Sequence, residues 1–122
     1  MDFNDCYWHD SIIKNIEIDR RDPGNSDTIK FEIDWYDKEG TEFLIFNDVY
    51  WASMDLNFGI IAPESILGAT MLDKQDPDLL ALYATWKGRL GNLDLNAYEI
   101  ELNSTGGKIK IISKSVRLEE KP

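Results

Sequence analysis

A chain of 122 residues is the size of one domain (residues 1–122), and its 43% apolar and 30% charged residues are those of a globular protein, not a disordered one. A net charge of −10, with 23 acidic residues against 13 basic ones, speaks against nucleic acid and anionic membranes as partners and favours basic ones. The lone Cys6 excludes an intrachain disulfide and a cysteine-based zinc site, while the lack of a long apolar run and the acidic N-terminal residues predict a cytoplasmic protein without a membrane span.

The first element is a strand over Ser11–Asp19, with Ile12, Ile16 and Ile18 on one face and Lys14 as the exception. Arg20 to Ser26 reads as a loop, marked by Pro23-Gly24. Thr28–Tyr36 alternates strictly, with Ile29, Phe31, Ile33 and Trp35 on one side and Lys30, Glu32, Asp34 and Tyr36 on the other. Asp37 to Gly40 then turns the chain into a third strand at about Thr41–Asn47. A fourth is expected over Tyr50–Phe58, with Trp51, Ser53, Asp55 and Asn57 opposite Tyr50, Ala52, Met54, Leu56 and Phe58, and a bulge near Asn47-Asp48. Glu64–Leu72 is predicted to be a further strand, since Pro63 and Gly68 argue against a helix there.

One helix is predicted. Asp76 is a good N-cap, Pro77 suits the first helical position, and Asp78 complements the positive end of the dipole. Leu79, Leu82, Tyr83 and Trp86 form one apolar stripe, Lys87 and Arg89 fit a last turn, and Gly88 or Gly91 can stop it. A closing hairpin follows, with Tyr98, Ile100 and Leu102 alternating before a turn at Ser104 to Gly107, and Ile109 and Ile111 after it. Antiparallel pairing would set Glu99 and Glu101 against Lys108 and Lys110. The fold class is therefore α+β: a mainly antiparallel β-sheet with one principal helix packed on one face.

Catalytic signals are sparse. His9 is the sole histidine, and Asp10 beside it could orient it in a pocket for a small ligand or for proton transfer; a histidine bonded to backbone or to Asp10 is the plainer reading. Asp34, Asp37, Asp48 and Asp55 could converge, yet acids alternating along strands commonly form a wet face, and no calcium-loop spacing occurs. Gly88 to Gly91 and Gly106-Gly107 lack phosphate-loop spacing, so no cofactor and no metal is expected.

The charge is uneven. Residues 1–55 carry fourteen Asp or Glu against five Lys or Arg, and residues 56–122 nine against eight. Trp8, Trp35, Tyr36, Tyr50 and Trp51 fall in this acidic half; Trp35 continues a core face, whereas Tyr36 and Trp51 lie on faces otherwise polar. Exposed aromatics ringed by acids suit a basic protein partner, with rings supplying burial and acids steering encounter. The candidate binding residues are thus Asp34, Tyr36, Asp48, Trp51 and Asp55. The competing reading has the helix or a second layer covering the rings, and the acids serving solubility.

Trp8-His9-Asp10-Ser11 before the first strand, Phe46-Asn47-Asp48-Val49 at the end of a later one, and Ile100 to Gly106 in the closing hairpin resemble immunity-like proteins of bacterial polymorphic toxin systems. That resemblance implies a non-catalytic protein that binds and neutralises a cognate toxin, and it brings no active residues with it. Besides a small-ligand protein or enzyme using His9 and Asp10, the sequence leaves open a homo-oligomer formed through a strand edge; the oligomeric state is not legible.

Overall fold

The computed structural model describes residues 1–86, 89 and 93–122. Among the described residues six strands occur in chain order: β1 (Ile12–Asp19), β2 (Thr28–Asp34), β3 (Thr41–Asp55), β4 (Glu64–Met71), β5 (Asn96–Leu102) and β6 (Lys108–Glu120). One α-helix, α1 (Pro77–Trp86), lies between β4 and β5 among the described residues, and a short 3-10 turn, Phe3–Asp5, precedes β1. The α+β class and the mainly antiparallel sheet are as expected. All pairings are antiparallel, and they close into a barrel in the order β1-β2-β3-β6-β5-β4.

β3 and β6 are long because each serves two halves of the barrel. Residues Thr41 to Asn47 of β3 pair with β2 and with Ser115 to Glu120 of β6, while Val49 to Asp55 pair with Lys108 to Ser113, which in turn pair with β5. The corner between the halves is a bulge between Val49 and Trp51, next to Asp48 with its left-handed φ of 52°. The two strands expected at Thr41–Asn47 and Tyr50–Phe58 are thus one bent strand that ends at Asp55. Phe58 continues the alternation but has no partner strand among the described residues, and it is 86% exposed.

The same device resolves the first strand. A bulge between Ile13 and Asn15 makes Lys14 the extra residue, so Ile13 and Ile16 face the core beside Ile33 and Phe31, and Ile12 does not share that face. Inside the barrel pack Phe31, Ile33, Leu44, Phe46, Ile66, Ile100, Ile109 and Ile111, all buried, each contributing about 1.5–3 kcal/mol. Ile112 points the other way and, with Ala97 and Leu95, receives Leu79 of α1 on the outer surface.

The helix begins as its sequence directs. Asp76 Oδ2 accepts from the Asp78 and Leu79 amides at 3.1 Å, and Lys110 bridges Asp76 and Asp78 at 2.7 and 2.6 Å. The expected register of Glu99 against Lys110 and Glu101 against Lys108 is present, but Lys110 turns to the helix and Lys108 reaches Glu99 diagonally at 3.5 Å. Of the expected helix-end residues, Lys87, Gly88 and Gly91 lie outside the described residues, and Arg89 is exposed.

β1 and β4 close the ring through two residue pairs only, Ile12 with Ser65 and Ile13 with Glu64. The N-terminal segment fills the rest of the seam. Asn4 Oδ1 accepts from the Met71 amide at 2.8 Å, and the Asp10 amide donates to the Ile66 carbonyl at 2.9 Å. Phe3 and Trp8 enter the core, and the Trp8 indole donates to the Phe3 carbonyl at 2.7 Å.

Candidate functional site

The largest cleft described, about 470 Å³, opens where the end of β1, the β1–β2 loop, the corner of β3 and the end of α1 meet. Its apolar lining comes from Ile18, Tyr50, Trp51 and Trp86, and its charges from Asp19, Arg20, Asp27 and Asp48. Each is placed by a local cause. Trp86 is the last member of the helical stripe, beyond the reach of the outer core that covers Leu79, so it stays 44% exposed. Tyr50 is the residue skipped by the bulge and is 40% exposed. Ile18 stands at the end of the β1–β2 ladder, where the core no longer covers it, and is 58% exposed.

The electrostatics follow from the β1–β2 loop. Arg21 donates to Asp19 through both its guanidinium and its amide, which holds that carboxyl down at about 2. Arg20 at 2.9 Å and the Gly24 amide at 3.2 Å likewise lower Asp27. Both carboxylates are ionised at neutral pH and already partnered. Asp48 also lines the cleft, and among the described residues no side-chain hydrogen bond or ion pair engages it.

The sequence-predicted residues do not form one patch. Asp48 and Trp51 meet in this cleft. Trp51 is half-buried, packed against the outer core beneath α1, and also lines a smaller cleft of about 290 Å³ that contains Asp55, Asp78, Glu99, Lys108 and Lys110. Asp34 lies at the far end, paired with Thr41 across β2 and β3, accepting from the Thr41 hydroxyl and 3.8 Å from Lys14. Measured along β3, Asp34 and Asp55 are separated by on the order of 40 Å. Tyr36 is 64% exposed and stacks on Tyr7 at 5.6 Å between centroids.

His9 and Asp10 belong to the seam. His9 Nδ1 donates to the Leu67 carbonyl at 3.0 Å, its Nε2 is 3.6 Å from Asp10, and both side chains are exposed; neither lines either of the clefts described above. Asp10 has a left-handed φ of 67°, which turns the chain into β1. Ile18, Asp19, Arg20, Asp27, Tyr50 and Trp86 are among the cleft residues that sequence reasoning did not select. The bulge expected near Asn47-Asp48, just before Tyr50, was the available signal for one of them.

Among the described residues no group of three or more His, Cys, Asp or Glu could hold a metal ion, and no helix is long and apolar enough to cross a membrane. No family model matches the sequence, and comparison with curated proteins and with solved structures gives no match.

Proposed function

We propose that this is a non-catalytic protein-binding domain whose cleft at the corner of β3 receives a basic partner. The observation that carries the reading is the coincidence, in one cleft, of exposed Ile18, Tyr50 and Trp86 with Asp48, a carboxylate that has no ion-pair partner among the described residues. Docking would remove the aromatic surface from water, and the acidic half of the chain would speed encounter with a positively charged partner. The resemblance to immunity-like proteins supports a specific form of this reading, a cytoplasmic protein that neutralises a basic toxin.

The test is capture from a lysate of the native host on immobilised protein, with Asp48→Asn and Trp86→Ala as paired variants that leave the core intact. A basic protein held by the native chain at low salt and lost by both variants supports the reading. Retention of the same proteins by all three chains would overturn it.

A further inference from the structure

The corner of β3 leaves a second feature beside the cleft. β2 begins at Thr28, opposite Asn47, and its last reach along β3 is the Asp27 carbonyl accepting from the Val49 amide at 3.0 Å. Beyond that point β3 continues from Tyr50 to Asp55, paired with β6 on one edge only. Among the described residues no strand pairs with the other edge, and the cleft lined by Tyr50, Trp51 and Ala52 runs along it.

An open edge is a row of backbone donors and acceptors ready for another strand, and proteins commonly guard such edges with charge, proline or a twist. Among the described residues, the outer edge of β1 carries Lys14 and Glu17, that of β6 carries Lys114, Arg117, Glu119 and Glu120, and the uncharged edge of β4 is met by His9 and Asn4 of the N-terminal segment. On β3, by contrast, Tyr50-Trp51-Ala52-Ser53-Met54 is an uncharged run with small residues at its centre, and Asp48 and Asp55 flank it. We infer that an extended, cationic segment of a partner protein adds to the Tyr50–Asp55 edge of β3 as an extra strand, with a basic side chain lying in the cleft against Tyr50, Trp86 and Asp48.

This rests on the binding reading above and specifies its mode. The edge gives about 20 Å of ladder, room for some six residues. Strand addition draws its affinity from main-chain hydrogen bonds, so it tolerates sequence, and side chains alternate between groove and solvent. A cation over an aromatic ring and beside a carboxylate supplies the selectivity. A second copy of this chain is the poorer occupant, because each copy carries a net charge of −10 and its own β3 edge ends in an acid at both sides.

The probe is an acetylated and amidated heptapeptide alternating Val and Arg, titrated into the full-length isotope-labelled protein at low salt. The amides of Tyr50 to Met54 that point to the open edge should shift and exchange more slowly, while those already paired with β6 should not gain protection. The same peptide N-methylated along one edge should bind about tenfold more weakly or worse. A peptide with Glu in place of Arg should not bind. Equal binding of the N-methylated peptide, with shifts confined to the cleft side chains, would overturn strand addition while leaving the cleft as a binding site. Shifts on β1 or β6 instead, no shift of the β3 amides at millimolar peptide, or concentration-dependent shifts of those amides without peptide would also overturn it. The capture experiment with Asp48→Asn and Trp86→Ala decides the binding reading independently of all these outcomes.

Discussion

At Asp48 the backbone adopts a φ of 52°, a conformation that costs most L-residues roughly 1–2 kcal/mol but that Asp and Asn tolerate. The residue is therefore held twice, by the corner of β3 and by the charge it offers to the cleft. The two roles separate by substitution: Asp48→Val should lower the unfolding free energy by about 1–2 kcal/mol, whereas Asp48→Asn should stay within about 0.5 kcal/mol. Urea titration of the two variants decides it. Equal losses would mean that the carboxylate, not the backbone, matters to the fold.

Asp76 shows the same coupling of backbone and charge at a buried site. Burial pushes its carboxyl up, but Lys110 and the Leu79 and Asp78 amides outweigh that and leave it below the usual carboxylate range. Asp19, held at about 2 by Arg21, shifts the same way. A carboxyl whose folded value is depressed adds stability that is complete above its unfolded value near ~3.9 and is lost as pH falls through the folded value. Stability should thus fall on acidification from about pH 5 towards 2, and Asp76→Asn should flatten that slope. Asp76→Ala should cost about 2 kcal/mol or more at neutral pH, since it removes the N-cap and strips Lys110 of one partner. An unchanged acid slope in Asp76→Asn would assign the effect to other carboxyls.

Among the elements, regular alternation was readable from sequence, and its interruptions were readable only in part. A bulge was expected near Asn47-Asp48 and lies between Val49 and Trp51, and Lys14 stood out as an exception without its effect on Ile12 and Ile13 being legible. β2 carries no bulge, and Ile29, Phe31 and Ile33 face the core as their spacing predicts. β1 and β3 each contain one bulged residue, which shifts the face of everything beyond it. In β6, consecutive Ile111 and Ile112 break the alternation because they serve different cores, so its full reach to Glu120 was hidden. The β5–β6 turn has a constraint that composition could only hint at. A Cβ at Gly107 would lie 2.2 Å from the Asp55 carbonyl oxygen, so the start of β6 approaches the end of β3 only with glycine there. Gly107→Ala should cost about 1–3 kcal/mol and speed amide exchange around Asp55 and Lys108. Full stability in that variant would show that the two strands can part without loss.

For the whole molecule, the candidate cleft depends on segments far apart in sequence: Ile18, Asp27, Asp48 and Trp86 become neighbours only after the barrel closes. Charge and aromatic content marked the acidic half, but only the ring closure says which acids share a surface. That closure also governs how the molecule comes apart. β3 and β6 each run through both halves, joined by pairs as distant as Glu42 with Glu120, and residues from both halves share one core. Neither half can release its strands without stripping the other, so unfolding should be all-or-none. Ile33, in β2, belongs to the first half alone, and Ile100, in β5, to the second. Ile33→Val and Ile100→Val should each cost about 0.5–1.5 kcal/mol. In native-state hydrogen exchange, either change should lower the protection of the slowest amides in both halves by the same amount. If instead the β2 amides respond only to Ile33→Val and the β5 amides only to Ile100→Val, the halves open separately. The cleft at their junction would then be the place where the barrel hinges.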